Sequence, residues 1–134
     1  DLAVRLTLYR RLSSLKTDDE IEAFGIELAD RFGPKPPEVD QLLKLMIIKA
    51  LCLRANVEKV EAGPKGLVLS FRNQSFANPE GLIRFIANQG VFAKVRPDMR
   101  VTLQRELEEV DDRLKETAAV LRSLVKIAQM QKAA

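Results

Sequence analysis

The 134-residue sequence contains no histidine and a single cysteine. Without histidine, the chain cannot by itself form a Ser-His-Asp triad, a Cys-His nucleophile pair or a His-containing metal site. One cysteine excludes an internal disulfide and a thiolate zinc cage, and this usage is typical of the reducing cytoplasm, where we expect the protein to be located. The composition therefore favours an interaction domain over an enzyme, and it predicts no cofactor and no metal site.

Long hydrophobic runs are also missing, because Lys or Arg interrupts each one, so no segment is predicted to span a membrane. The start of the chain lacks the apolar core and cleavage site of a signal peptide. It opens inside a helical pattern, with neither a methionine nor a cap before Asp1. We therefore expect a fragment of a longer protein, folded as one domain over residues 1–134.

The spacing of apolar residues predicts three helices in the first 55 residues. The first is expected over residues 2–15. The second begins with a capping box, Thr17 to Glu20, and its apolar stripe runs from Ile21 to Phe32 before Gly33 ends it. The third is expected from the Pro36-Pro37 pair to about residue 55. It is apolar on nearly all sides, which is typical of a central, buried helix.

The hydrophobic period then changes to that of strands. One hairpin is predicted from strands over 57–62 and 67–72, and a second from 92–96 and 100–104. Between them, Asn78-Pro79 opens a fourth helix that ends at Gly90. The last 30 residues are predicted to form one long helix, whose heptad seam comprises Leu107, Val110, Leu114, Thr117, Leu121, Leu124 and Ala128. The fold class is therefore α+β: a small antiparallel sheet of about four strands, packed with helices, plus a long C-terminal helix.

Two acidic residues near the end of the second helix have two possible roles. Glu27 and Asp30 are i, i+3 neighbours off the apolar stripe, where carboxylates face the negative end of the helix dipole. Each could pair within the chain with Arg31, Arg10 or Arg11. Alternatively, they form a docking site for arginines of another domain, since a guanidinium binds a carboxylate through two hydrogen bonds.

Positive charge is concentrated between residues 57 and 105, which carry eight basic and four acidic side chains. A basic sheet face can bind nucleic acid phosphates. However, few aromatic residues are available there to stack on bases, so a solvated charged face is the simpler interpretation. The basic residues concerned are Lys59, Lys65, Arg72, Lys94, Arg96, Arg100 and Arg105.

Three other features have simple structural interpretations. Cys52 is expected to be a small core residue in the third helix. The acidic pairs at 18–19 and 111–112 are expected to be solvated and to favour helix starts. The glycines at 63 and 66 are predicted to form a hairpin turn, because the proline between them removes an amide that a phosphate loop would need.

The sequence also resembles a known family. The segment ELADRFGPKP, Glu27 to Pro36, is similar to an element of the C-terminal domain of bacterial transcription-repair coupling factors (Mfd proteins), in which D-R-F-G is followed by proline. The similarity continues through VEKVEAGPKGLVLSF and NPEGLIRFI and covers nearly the whole chain.

This resemblance implies a non-catalytic regulatory domain of an ATP-driven DNA translocase that couples transcription to nucleotide excision repair. ATP, magnesium and DNA would bind to other domains of the parent protein, which also acts on RNA polymerase. The domain would dock on the parent's own UvrB-like N-terminal module and mask its surface for UvrA. The docking acids of the family match Glu27 and Asp30, and we add Arg31 from the same element. Because both acids lie off the apolar stripe, reversing their charges is expected to leave the fold nearly as stable as before, whereas an intrachain pair predicts lower stability instead. The alternative function is a nucleic-acid-binding module that uses the basic sheet face.

Overall fold

The computed structural model describes the backbone of residues 2–133 and the side chains of residues 2–130. The chain divides into two compact units, Asp1–Ala50 and Leu51–Ala134, and each is described by itself. The helices and strands, in chain order, are α1 Leu2–Ser14, α2 Asp18–Phe32, α3 Pro37–Ala55, β1 Val57–Gly63, β2 Gly66–Phe71, α4 Pro79–Asn88, β3 Ala93–Val95, β4 Val101–Gln104 and α5 Val110–Ala133. Short 3-10 helices lie at Arg72–Gln74 and Gly90–Phe92. The predicted α+β class is confirmed, whereas a single domain over 1–134 stays a prediction.

The first unit contains a small helical core. The capping box at the start of α2 is present: the Thr17 hydroxyl accepts from the Glu20 amide, and the Glu20 carboxylate accepts from the Thr17 amide. The core comprises Ile21, Phe24, Leu43 and Ala50, with leucines of α1 packed around it. The predicted stripe of α2 is therefore covered over its first turns. At the end of the helix it is not, since Phe32 is 55% exposed.

The prediction that α3 is buried on all sides is wrong. Leu43 and Ala50 are seven residues apart, on one helical face, and both are buried. Leu42 and Leu45 project to other sides of the helix, and both are exposed. An apolar composition alone does not cover a helix, because burial requires a neighbouring element on each side.

The second unit is built on a four-stranded antiparallel sheet in the order β1-β2-β4-β3. Both predicted hairpins are present. Alternate residues of the two central strands are buried, namely Leu67, Leu69, Phe71, Val101 and Leu103. The buried side chains of α5, including Leu121 and Leu124, belong to the same unit. The other face of the sheet carries polar and charged side chains, as the period of two predicts.

Two connections in this unit require special backbone conformations. Asn56 follows α3 with φ +60°, the left-handed conformation of a helix C-cap. Its side-chain amide donates to the carbonyls of Arg72 and Ser75 at 3.0 and 2.8 Å. Gly66 has φ +147°, and a Cβ atom there would lie 2.0 Å from the carbonyl oxygen of Leu103. Only glycine fits this position of the hairpin.

The last helix is shorter than predicted, because it begins at Val110. The amides of Arg105 and Leu107 donate instead to the carbonyls of Lys65 and Pro64, at 2.9 and 2.8 Å. These bonds continue the sheet beyond β4 and hold the segment in a non-helical conformation. Leu107 is buried there but precedes the helix, and Val110 is 52% exposed, so the predicted seam is wrong at its start.

The rest of the predicted seam is buried to different degrees. Thr117, Leu121, Leu124 and Ala128 are buried, whereas Leu114 is only half-buried. The seam therefore packs within its own unit over the central turns of α5. Its first turns are partly exposed.

One polar side chain connects the last two helices. Asn78 is buried, and its carbonyl oxygen accepts from the Gly81 amide at 3.0 Å, which caps α4 as predicted. Its amide group donates to the Ile127 carbonyl of α5, also at 3.0 Å. The same side chain therefore caps the start of α4 and orients this helix against α5.

Candidate docking surface at the end of α2

The predicted site residues lie on the last two turns of α2. We call Glu27, Asp30, Arg31 and Phe32 the α2-end surface. Glu27 is half-buried and the other three residues are exposed. Because α2 ends at Phe32, the carboxylate of Asp30 lies within the last turn, where the helix dipole disfavours negative charge.

Glu27 has a partner within the chain. Both guanidinium nitrogens of Arg11, on α1, donate to its carboxylate: Nη1 to Oε2, and Nη2 to Oε1 at 2.9 Å. Arg31 contributes a longer ion pair of 3.8 Å. The hydrogen bond from Arg11 is the main cause that lowers the pKa of Glu27, so this residue remains ionised at neutral pH. Of the alternatives that the sequence left open for Glu27, the structure contains the intrachain pair with Arg11.

Asp30 is in a different situation. Its side chain is exposed, and no ion pair or hydrogen bond joins it to another side chain in the part of the chain that the structure describes. Arg31 also points outward, with its guanidinium carbon 5.1 Å from the centre of the Phe32 ring. The α2-end surface therefore presents one unpaired carboxylate beside an exposed arginine and an exposed aromatic ring.

Sequence reasoning missed Phe32 as part of this surface, because it continues the apolar stripe of α2. The only available signal was its position directly before Gly33 and Pro34, where the helix and its core contacts end. Arg11 was one of three candidate partners for Glu27. Its guanidinium also lies 5.0 Å from the centre of the Phe24 ring, and this contact helps to fix its direction.

The basic residues of the second unit do not form a continuous positive surface. Lys59 pairs with Glu61, Arg100 with Asp98, and Arg105 with Glu116. Lys65, Lys94 and Arg96 are exposed. The ion pairs reduce the positive charge available for phosphates, and binding of nucleic acid to this face stays a prediction.

The remaining candidates from the sequence have structural roles or lie on the surface. Cys52 is half-buried, and burial raises the pKa of its thiol, which disfavours a reactive thiolate. Asp111 lies in the first turn of α5 and pairs with Lys115. Asp18 lies in the first turn of α2, as predicted, but it is buried there. The predicted solvation of Asp18 is therefore wrong.

Within the described residues, no three His, Cys, Asp or Glu side chains are grouped so that they could hold a metal ion. None of the helices over residues 2–133 combines the length and the apolar character needed to cross a bilayer.

Comparison with known proteins identifies relatives over most of the chain. Residues 1–82 match a family model described as the TRCF domain. The chain is 35% identical over 108 residues to the transcription-repair-coupling factor of Rickettsia bellii (strain RML369-C), covering 80% of this chain and 10% of that protein. It is 29% identical over 124 residues to the transcription-repair-coupling factor of Escherichia coli (strain K12), covering 92% of this chain and 11% of that protein. The chain thus spans about a tenth of the length of these relatives.

A solved structure supports the same fold. The crystal structure of the C-terminal domain of transcription-repair coupling factor superposes with a TM-score of 0.70 and covers 97% of this chain and 84% of that chain. Sequence identity is 17%, so this likeness concerns the fold alone.

Proposed function

Because this chain belongs to the TRCF domain family of the transcription-repair-coupling factors, we propose that it is a non-catalytic regulatory domain of a larger protein of that kind. In this proposal it docks on the UvrB-like N-terminal module of the same parent and masks the surface that binds UvrA. ATP, magnesium, DNA and RNA polymerase are engaged by other parts of the parent.

The observation that carries the proposal is the exposed Asp30 carboxylate in the last turn of α2. At this position it does not stabilise its own helix, because it faces the negative end of the dipole. Among the described side chains none forms an ion pair with it. An arginine of a docked module would supply the missing partner.

The intrachain pair of Glu27 is compatible with docking. Arg11 fixes the carboxylate through both of its oxygens, and the side chain is still about two-fifths exposed. Each carboxylate oxygen can accept more than one hydrogen bond. Arg11 therefore orients Glu27, and Asp30 provides the charge that is not yet neutralised.

A weak interface is sufficient for such a mask. Two modules of one chain bind each other at the high effective concentration set by their tether. Release then requires only that another partner favours the undocked state, which shifts the population between the two states.

The charge reversal Asp30→Lys tests the proposal. We expect the variant to melt at or slightly above the temperature of the wild type, because lysine suits the end of a helix. Its binding to the isolated UvrB-like module of the parent should weaken about tenfold or more, since repulsion replaces an ion pair. The matched control is Glu58→Lys, an equal charge change on an exposed residue of β1.

In the full-length parent, the same Asp30→Lys change should increase the affinity for UvrA, whereas Glu58→Lys should not. Unchanged docking by a folded Asp30→Lys variant, or equal UvrA affinities of the parent with and without this domain, would contradict the proposed mask.

Glu27→Lys is a poorer test. A lysine at position 27 would face Arg11 and Arg31, so the ion pairs in the structure favour the alternative in which reversing Glu27 lowers stability. The variant is expected to lose stability of its own unit as well as docking. Asp30 is therefore the residue that separates docking from folding.

A further inference from the structure

A groove lies on the outer face of the sheet in the second unit, the face opposite the buried leucines. Its volume is about 800 Å³, and it extends from the hairpin turn between β1 and β2 across to β3. Val68 and Thr102 form its floor, in register with Lys94. Phe92, Lys94 and Arg96 line its outer side, and their spacing of two places them along one side of the chain.

Apolar side chains are exposed along this outer side. Val91 is 79% exposed and Phe92 is 54% exposed, and both line the groove. Val95 is in register with the buried Val101 and therefore lies on the opposite face of the sheet. Two adjacent large apolar residues at one groove form a patch instead of scattered single residues. Contiguous exposed apolar surface is typical of a binding site.

The backbone of β3 is open to pairing. β3 is the last strand in the sheet order. The Arg96 amide donates to the Arg100 carbonyl at 2.8 Å, so the backbone amide and carbonyl of Arg96 face β4. Because alternate residues of an antiparallel pair face opposite ways, the amide and carbonyl of Val95 point to the free edge. Such an edge can accept another extended chain as an additional strand.

The charges around the groove are positive. Lys65, Lys94 and Arg96 line it, and within the described side chains none of the three forms an ion pair. The pKa of Glu61, on the same face, is lowered mainly by its hydrogen bond with Lys59 and further by Arg100 and Arg96. The carboxylate of Glu61 is thus already neutralised, and the positive charge that remains at the groove suits a negatively charged partner.

These features favour a peptide over a nucleic acid. Phosphate contacts would use the cations, but they leave the exposed Val91 and Phe92 without a role. An extended peptide uses the cations, the apolar side chains and the free edge together. We propose that β3 accepts an added strand from a partner protein, an extended segment whose carboxylates bind Lys94 and Arg96 and whose apolar side chains contact Phe92 in the groove.

The first experiment measures binding of a designed probe to the 134-residue chain. The probe is a fluorescein-labelled, threonine-rich peptide. Every second position carries, in order, a glutamate, a second glutamate and an isoleucine. Its counterpart has lysines in place of the glutamates, and a short duplex DNA is the third ligand. We expect the acidic peptide to bind with an affinity about tenfold or more above that of the basic peptide, and to weaken with added salt.

Variants of the groove then locate the site. Lys94→Glu with Arg96→Glu, and separately Phe92→Ser, should each weaken the acidic peptide about tenfold. The matched controls are Lys126→Glu and Ile83→Ser, which change exposed residues of α5 and α4 and should leave binding unchanged.

Strand addition has its own signature. The Val95 amide should be protected from hydrogen exchange when the peptide is bound, because it becomes part of a new ladder. Val95→Pro removes that donor at an edge position, and it should abolish binding while circular dichroism shows a folded chain.

Three results would overturn the proposal. They are equal binding of the acidic and basic peptides, preference for duplex DNA that is insensitive to Phe92→Ser, or unchanged exchange of the Val95 amide at saturating peptide. None of these experiments involves the α2-end surface, so their outcome is independent of the docking proposed above.

Discussion

Asn78 provides a direct test of how the second unit is held together. The residue is 6% exposed, and its side chain makes two hydrogen bonds of 3.0 Å, one to the Gly81 amide and one to the Ile127 carbonyl. Loss of an N-cap costs about 1 kcal/mol. Loss of a neutral hydrogen bond in a buried setting costs about 0.5–1.5 kcal/mol. Asn78→Ala, which removes both, should therefore lower the free energy of unfolding by about 1.5–2.5 kcal/mol.

Asn78→Ser separates the two contributions. Serine caps a helix about as well as asparagine, but it does not replace the amide group that donates to α5. The loss should be about 0.5–1.5 kcal/mol. Hydrogen exchange of the amides of the central strands β2 and β4 reports the opening of this unit.

The matched control is Asn88, an exposed residue of the same helix. Asn88→Ala and Asn88→Ser should each stay within about 0.5 kcal/mol of the wild type. If Asn78→Ser is as stable as the wild type while Asn78→Ala is not, the bond to Ile127 contributes nothing and the reasoning is refuted.

Three further comparisons test side-chain packing in α5, the backbone conformation at Gly66 and the charge of Glu27. Leu121→Ala removes a fully buried side chain and should lower the free energy of unfolding by about 2–5 kcal/mol. Leu114→Ala, at a half-buried position, should lower it by about 1 kcal/mol in the same hydrogen-exchange measurement. Equal losses for the two variants would contradict the observed burial. Gly66→Ala should destabilise the hairpin by at least about 2 kcal/mol through backbone strain and the clash with a carbonyl, and Gly63→Ala, where nothing lies within 4 Å, is its control in denaturant unfolding. The paired arginine lowers the pKa of Glu27 below the ordinary value of 4.5, so the stability that the wild type has over Glu27→Gln should be present above that pH and decline as the pH falls through the lowered pKa. Unfolding measured on both proteins at several pH values checks this, and a difference that does not change with pH would exclude the pair as its cause.

The types and order of the helices and strands follow from the amino-acid sequence alone, because their signals are local. The capping box of Thr17 and Glu20 involves residues three positions apart. The Asn78-Pro79 pair marks the start of α4, and Gly63 and Gly66 enclose the turn between β1 and β2. The resemblance carried by the segment Glu27 to Pro36 led to the same family as the comparisons.

What each surface of these elements contacts depends on how the chain folds in three dimensions. Arg11 reaches Glu27 across sixteen positions, and the sequence had only made it one of three candidates. Phe32 is exposed although it continues an apolar stripe, which alters the character of the candidate site. The periodicity of a helix identifies a face, but it contains no information on where a neighbouring element stops covering that face.

The start of α5 and the burial of α3 show the same limit. The heptad pattern continues back to Leu107, but the amides of Arg105 and Leu107 bond to the turn between β1 and β2, some forty positions earlier in the chain. Leu42 and Leu45 are as hydrophobic as Leu43, yet only Leu43 is covered. Local sequence sets the intrinsic preference of each segment, whereas hydrogen bonds and burial depend on residues brought together from distant positions, and these contacts are resolved only when the chain has folded.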